Sequence, residues 1–230
     1  MLVAEIFHSI QGEGELTGVP SVFLRTSGCN LRCNWCDTKY ASWKPEGEDL
    51  HLDEIVNRMS VAPTNFCVIT GGEPMLAAGI GELTHRLKSM GKHVTIETAA
   101  TLPPDDVACD LASLSPKLTN SIPDNRLSAR WQSQHETLRL QPEVIHAWLD
   151  RFPYQLKFVV TSVRDIHEIQ EILTSLSRKV LPQKVLLMPE GTDSDTLHGR
   201  SMEVHRLCMQ YGYRFCSRLH IELFGNTRGA

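Results

Sequence analysis

The 230-residue sequence has no apolar run approaching the roughly 20 residues of a membrane span. Nor does it carry a surplus of charge of either sign. Its 27 acidic and 23 basic side chains give a formal net charge of −4, which supplies no global attraction to nucleic acid or to an anionic membrane. The first residues, MLVAEIFHSIQGEGE, lack the basic n-region and long apolar stretch of a signal peptide, so a cytoplasmic protein is expected. No internal repeat, coiled-coil heptad or low-complexity tract is present. Cysteines number seven, an odd count that excludes a full disulfide framework. In a reducing compartment, clustered thiols point instead to metal or catalysis. What remains is ordinary globular composition, 41% hydrophobic, in a chain long enough to bury a sizeable core.

Short β-branched runs at 22–25, 66–70, 94–97, 111–114, 156–160, 185–188 and 214–216 read as strands. Between them, 52–59, 80–90, 143–152, 165–176 and 194–211 place apolar residues three and four apart, as amphipathic helices do. Gly91 and Gly212 follow two of these helices, where a left-handed C-cap is wanted. Regular alternation of strand and helix argues for one α/β domain over 1–230 with a parallel sheet. A closed eight-fold barrel takes about 250 residues, so about six or seven repeats here predict an incomplete TIM-type barrel with outer helices. The stretch 118–141, rich in Ser, Asn, Arg and Pro, reads as a long loop or insertion over one face.

The most informative segment is Gly28-Cys29-Asn30-Leu31-Arg32-Cys33-Asn34-Trp35-Cys36-Asp37-Thr38, a CxxxCxxC spacing just after the strand at 22–25. Three thiolates from one short loop can wrap three irons of a [4Fe–4S] cluster and leave the fourth iron open for chemistry. The competing reading is a structural zinc site, which needs a fourth protein ligand. His8, His51, Cys67, Cys109, Cys208 or Cys216 could supply it, but none lies in a second local pair. Cys67, Cys109 and Cys208 sit among apolar neighbours, as small core residues do. A second motif, Thr70-Gly71-Gly72-Glu73-Pro74, ends the strand at 66–70; its glycines allow close backbone approach, and Glu73 could accept bonds from an ammonium group. Glu97-Thr98 and Ser115-Pro116-Lys117 also end strands, which places them on the same rim as the cysteines.

The thiol spacing and the Gly-Gly-Glu-Pro element resemble the radical S-adenosylmethionine (radical SAM) superfamily. Further motifs, Phe7 to Gly14, Gly18 to Arg25, the Cys36-Asp37-Thr38 exit, Ile96-Glu97-Thr98 and Ser115-Pro116-Lys117, follow in order over most of the first 117 residues. Together they resemble the 7-carboxy-7-deazaguanine synthase family. The resemblance implies a radical SAM lyase that contracts the ring of 6-carboxy-5,6,7,8-tetrahydropterin to 7-carboxy-7-deazaguanine with loss of ammonia, on the route to queuosine and related 7-deazapurines. It implies no catalytic side chain beyond the 5′-deoxyadenosyl radical. Cluster ligands are then Cys29, Cys33 and Cys36, with SAM served by Trp35, Cys36, Asp37, Gly72, Glu73, Ser115, Pro116 and Lys117 and by the late loop Met188-Pro189-Glu190-Gly191. The pterin falls to Ile10, Gln11, Gly12, Arg25 and Thr70, and the Thr38 hydroxyl to a Mg²⁺ at the substrate carboxylate; the alternative for Thr38 is a helix N-cap. Arg25 suits a carboxylate because its planar fork can pair bidentately. An electron donor such as flavodoxin and a homodimeric state are also implied, with no nucleic-acid or membrane partner.

Two departures from the family pattern stand out. Ala99-Ala100 replaces a small polar residue followed by Gly, and Ile221 to Ala230 extends past Arg218-Leu219-His220 with no assigned role. Arg218 and His220 are candidates for the pterin side, against the plainer reading of a surface Arg and a satisfied His. The main enzyme alternative is a radical SAM activase that installs a glycyl radical on a partner protein; the non-enzyme alternative is a zinc-stabilised binding module.

Overall fold

The computed structural model describes residues 1–125 and 127–229. Among them, nine strands form a single sheet: β1 (Leu2–Ile10), β2 (Pro20–Thr26), β3 (Glu48–Asp49), β4 (Phe66–Gly71), β5 (His93–Thr98), β6 (Leu111–Leu114), β7 (Tyr154–Val160), β8 (Val185–Pro189) and β9 (Arg214–Phe215). Their spatial order is β3-β1-β2-β4-β5-β6-β7-β8-β9. From β2 to β9 every neighbouring pair is parallel, whereas β1 runs antiparallel to both β2 and β3. The helices are α1 (Lys39–Ser42), α2 (Leu52–Ser60), α3 (Ile80–Ser89), α4 (Ala129–Leu138), α5 (Pro142–Arg151), α6 (Asp165–Ser175), α7 (Ser194–Tyr211) and α8 (Leu219–Phe224). No helix among the described residues is long and apolar enough to cross a membrane.

Apolar faces of the helices seal one side of this sheet. Ile55, Val56 and Met59 of α2, Leu83 and Leu87 of α3, Trp148 of α5 and Ile169 of α6 join Leu24, Ile69, Ile96, Leu156 and Phe158 from the strands in one buried cluster. Each such side chain contributes about 1.5–3 kcal/mol when taken fully from water. Helix α7 shows how sequence sets an element's limits. Asp193 accepts from Thr196 N at 2.8 Å to cap its start, and Gly212, at φ +71°, ends it in the left-handed region.

The sheet is curled. In a flat sheet, β2 and β9 would lie about 30 Å apart at the usual strand spacing of about 4.8 Å. Instead the β1–β2 connection touches the far strands directly. Glu15 N donates to Gln155 Oε1 of β7 at 2.8 Å, Gly14 N to Cys216 Sγ at 3.2 Å, and Leu219 N to Gly12 O at 2.9 Å. The result is a partial barrel whose open side between β2 and β9 is bridged by residues 11–19.

All seven expected strands and five expected helices are present. Strands β1 and β3 are not among them: a register shift between Val3 and Glu5 interrupts β1, and β3 is only two residues long. The stretch 118–141 is also more ordered than its composition predicts. It holds a 3₁₀ turn at Thr119–Ser121 and the ten-residue α4; its position 126 lies outside the described residues. Helix α4 gives no apolar periodicity because its one buried side chain is His135.

Candidate active site

A cavity of about 490 Å³ opens at the carboxyl rim and is lined by all three motif cysteines. Strand β2 and the Gly-Gly end of β4 deliver the loop 27–38. Gly28 N donates to Ala41 O at 2.7 Å, and Gly28 O accepts from Glu73 N at 2.9 Å. A Cβ on Gly72 would lie 2.2 Å from Gly28 O and 2.7 Å from Ala41 O. The second glycine of the motif therefore lets the β4 terminus seat against the base of the thiol loop.

Burial pushes the Cys29 thiol up to about 12, with the Leu31 amide and Arg32 only partly offsetting it. Cys33 is likewise pushed up to about 12 by burial, against the pull of Lys117. Such thiols keep their protons at neutral pH until a cation neutralises them, which suits metal ligands better than free nucleophiles. Among the described residues no three His, Cys, Asp or Glu side chains converge as ligands of one ion. Thiolates that each take a separate iron of a cluster need no such convergence. Cys36 Sγ lies 3.1 Å from Ser42 Oγ, and Leu31 N donates to Cys29 Sγ at 3.3 Å.

Most of the residues assigned from sequence meet on this cavity. Ile10, Gln11, Gly12, Arg25 and Thr70 line it, as do Trp35, Asp37, Thr38, Gly72, Ser115 and Lys117 and the loop Met188-Pro189-Glu190-Gly191. Lys117 donates to Ser115 Oγ at 2.8 Å and lies 5.6 Å from the centre of the Trp35 ring. Thr38 occupies the N-cap position of α1, yet its side chain makes no capping bond; the capping alternative for its hydroxyl is not realised.

Two of the assigned residues lie outside the cavity lining. Pro116 is not part of the cavity wall. Glu73, 1% exposed, does not line the cavity either. Its carboxylate accepts from Thr98 Oγ1 at 2.7 Å, Ala99 N at 2.9 Å and Met75 N at 3.2 Å. Burial pushes its carboxyl up despite those bonds. Through these bonds Glu73 ties the ends of β4 and β5. The Ala99-Ala100 departure belongs to the same corner. Ala100 is held at φ +56°, a left-handed position where Gly would rest with less strain.

A charged network, largely missed from sequence, forms the opposite wall. Glu13, from the β1–β2 connection, pairs with Lys157 of β7 and accepts from Arg218 Nε at 3.0 Å. Arg218 also reaches Asp37 and Gly191 O. Burial alone would raise the Glu13 carboxyl, but Lys157, Arg218 and His220 outweigh it and hold it well below the usual carboxylate range. Asp37 is held low in the same way, Arg218 overcoming burial. The signal that could have revealed Lys157 is its alternation with Gln155 in an otherwise apolar strand, Tyr154–Val160, since in a barrel alternate residues face inward.

Arg25 donates through Nε to Glu5 Oε1 at 2.6 Å, and the Tyr40 hydroxyl donates to the same oxygen at 2.6 Å. That bond leaves both terminal nitrogens of the guanidinium outside it. Residues 225–229 also line the cavity. Arg228 anchors them through Ala4 O at 3.0 Å and lies 4.2 Å above the Tyr40 ring. The unassigned tail is thus part of the cavity mouth, as far as residue 229.

A partial α/β barrel with a CxxxCxxC thiol loop seated on a Gly-Gly strand end defines a radical SAM enzyme. The family profile described as the Radical SAM superfamily matches residues 23–121. A curated 7-carboxy-7-deazaguanine synthase of Rhodopirellula baltica is 43% identical over 230 residues, covering 100% of this chain and 88% of its own length. One from Halobacterium salinarum is 41% identical over 234 residues, covering 98% and 91%. Among solved structures, QueE from Escherichia coli superposes with a TM-score of 0.67 at 25% identity, covering 95% of this chain and 94% of that one. The chain belongs to the 7-carboxy-7-deazaguanine synthase family, and the glycyl-radical activase and zinc-module alternatives are not favoured.

Proposed function

We propose that this chain is a 7-carboxy-7-deazaguanine synthase, in which Cys29, Cys33 and Cys36 hold a [4Fe–4S] cluster and the facing wall holds 6-carboxy-5,6,7,8-tetrahydropterin. The observation that carries this reading is one continuous cavity joining the three thiols to Arg25 and the Glu13–Lys157–Arg218 network. Cluster and SAM, when bound, supply a 5′-deoxyadenosyl radical that takes a hydrogen atom from the substrate.

The protein's part is placement. Trp35 and Lys117 flank the space beside the thiols, and Met188 to Gly191 close its far edge, which suits the adenine and methionyl ends of SAM. Arg25, braced by Glu5, offers its free fork to the substrate carboxylate. Gln11, whose side chain donates to Glu97 Oε1 at 3.0 Å, presents amide and carboxylate to the polar edge of a pterin. The Thr38 hydroxyl, which makes no capping bond, supports an oxygen site for Mg²⁺ beside that carboxylate. The reading further includes one functional domain over the whole chain, a cytoplasmic location, a homodimeric state, a flavodoxin-type electron donor and a queuosine or related 7-deazapurine product route.

The direct test is anaerobic incubation of reconstituted protein with SAM, reductant, Mg²⁺ and carboxytetrahydropterin, followed by mass analysis for the deazaguanine. Reductive SAM cleavage without that product would refute the substrate assignment and return the activase. Thr38→Ala is expected to leave iron content unchanged while raising the Mg²⁺ concentration for half-maximal activity on the order of tenfold. An unchanged Mg²⁺ titration removes Thr38 from the metal site.

A further inference from the structure

Helix α4 is unusual in what it buries. Its sequence, ARWQSQHETL, is polar, and its one fully buried side chain is His135. A helix of this kind gains little from apolar packing, so its position must be explained by polar contacts. Those contacts converge on the thiol loop. Gln134 Nε2 donates to Asn30 O at 3.1 Å, Arg32 N donates to His135 Nδ1 at 3.0 Å, and the Arg32 guanidinium lies 3.8 Å from the Trp131 ring centre. From the preceding 3₁₀ turn, Ser121 O accepts from Asn34 N and Asn120 O from Trp35 Nε1, both at 3.1 Å. Four of the five residues interleaved with the cysteines are thereby held from outside the loop.

The orientation of His135 follows from its second partner. Ser121 Oγ has one proton, and it lies 2.6 Å from Leu118 O, its acceptor. The hydroxyl must then accept at its 3.0 Å contact with His135 Nε2, so Nε2 carries the ring proton and Nδ1 is bare. A bare Nδ1 is what the Arg32 amide requires. Both His135 and Ser121 are 0% exposed, so no water can replace either bond without opening the packing.

We propose that the 3₁₀ turn Thr119–Ser121 and helix α4 form the outer clamp of the cluster site, with His135 the positioning residue that fixes the loop backbone between Cys29 and Cys33. This rests on the reading that Cys29, Cys33 and Cys36 hold the cluster. Groups that orient metal ligands without touching the metal commonly change metal retention by about 10–100-fold when removed. His135 acts at one remove further, through the Arg32 amide, and the lower end of that range is expected.

The test compares two substitutions that keep different halves of the imidazole. In His135→Asn the side-chain oxygen stands where Nδ1 does and still accepts from Arg32 N. In His135→Gln the polar end reaches the Nε2 position and leaves the Arg32 amide unpaired. Full-length protein is reconstituted anaerobically, and cluster loss to an excess iron chelator is followed by visible absorbance. Electron paramagnetic resonance of the reduced cluster and urea denaturation of the apo chain are recorded alongside. His135→Asn should lose iron within about twofold of the parent rate, and His135→Gln about tenfold faster with a shifted resonance spectrum, although both lose ring packing. Equal rates for the two, or rates that merely follow apo stability, overturn the clamp. Gln134→Ala, at the rim, should raise the rate two- to threefold and serves if His135→Gln does not fold; a parental rate there counts equally against the clamp. Cys33→Ala in the same assay separates the two levels, because parental iron in that variant overturns the cluster assignment itself.

Discussion

Replacing Cys33 by alanine leaves a folded chain that no longer holds iron. The thiol is the only group lost. The Cys33 carbonyl still accepts from Cys36 N and from Trp43 Nε1, both at 3.2 Å, so the loop keeps the backbone bonds that shape it. Losing one small buried side chain costs about 1 kcal/mol, against the 5–15 kcal/mol that holds a typical domain. Two remaining thiolates cannot retain a cubane that already lacks a fourth protein ligand. Iron should fall from about four per chain to below one, and both reductive SAM cleavage and deazaguanine formation should fall below detection. Circular dichroism and the urea midpoint should stay near the parent. Cys67→Ala and Cys216→Ala supply the contrast. Cys67, on β4, lies in the core, while Cys216 packs with Val159, Leu186 and Met188 and accepts from Gly14 N. Both are buried, and both should keep a full complement of iron. Parental iron in Cys33→Ala, or iron lost equally from all three, would contradict the division of the thiols into ligands and core residues.

The proposed division can be drawn from sequence because ligand chemistry is written locally. A CxxxCxxC loop and the strand ends at Thr70, Glu97 and Ser115 need only a short window to be noticed, and the parallel topology brings them to one rim. Contacts between distant residues leave no such mark. Glu13 and Arg218 are 205 positions apart, and neither shows in isolation that the other neutralises it. The hydrogen-bond partners of Glu73 are hidden for a related reason. Its motif fixes its place at the end of β4, but only the approach of β5 reveals that Thr98 and Ala99 take up its oxygens. Helix α4 escaped notice because hydrophobic periodicity detects helices that bury an apolar stripe, and this one buries a histidine. The Gly-Gly turn was legible in kind but not in purpose, since the close neighbour of Gly72 is the backbone of the thiol loop.

Arg218→Met is expected to destabilise the apo chain by about 3–5 kcal/mol, the usual consequence of removing one partner from a buried ion pair. Arg218 is 8% exposed at its side chain and is the cation shared by Glu13 and Asp37. It also donates to Gly191 O, so a single guanidinium joins the β1–β2 connection, the exit of the thiol loop and the loop after β8. Without it Glu13 retains Lys157, whereas Asp37 loses its ion-pair partner. Asp37→Asn added to Arg218→Met should therefore recover part of the loss, because a neutral amide is less costly to bury than an unpaired carboxylate. The pH dependence carries a second signature. Both carboxyls are held below their ordinary values in the folded chain, so the unfolded chain takes up protons first as the pH drops. Their contribution is fully present above the ordinary carboxyl range of about 4 and is lost on acidification below it. In Arg218→Met the Asp37 share of that dependence should shrink or reverse, since burial then acts on its carboxyl without the opposing cation. Urea midpoints of parent, single and double variants from pH 7 down to pH 3 decide the matter. A single variant with the parental midpoint and acid slope would mean that water already screens the network, and that the rim of the barrel is held by backbone contacts such as Leu219 N to Gly12 O.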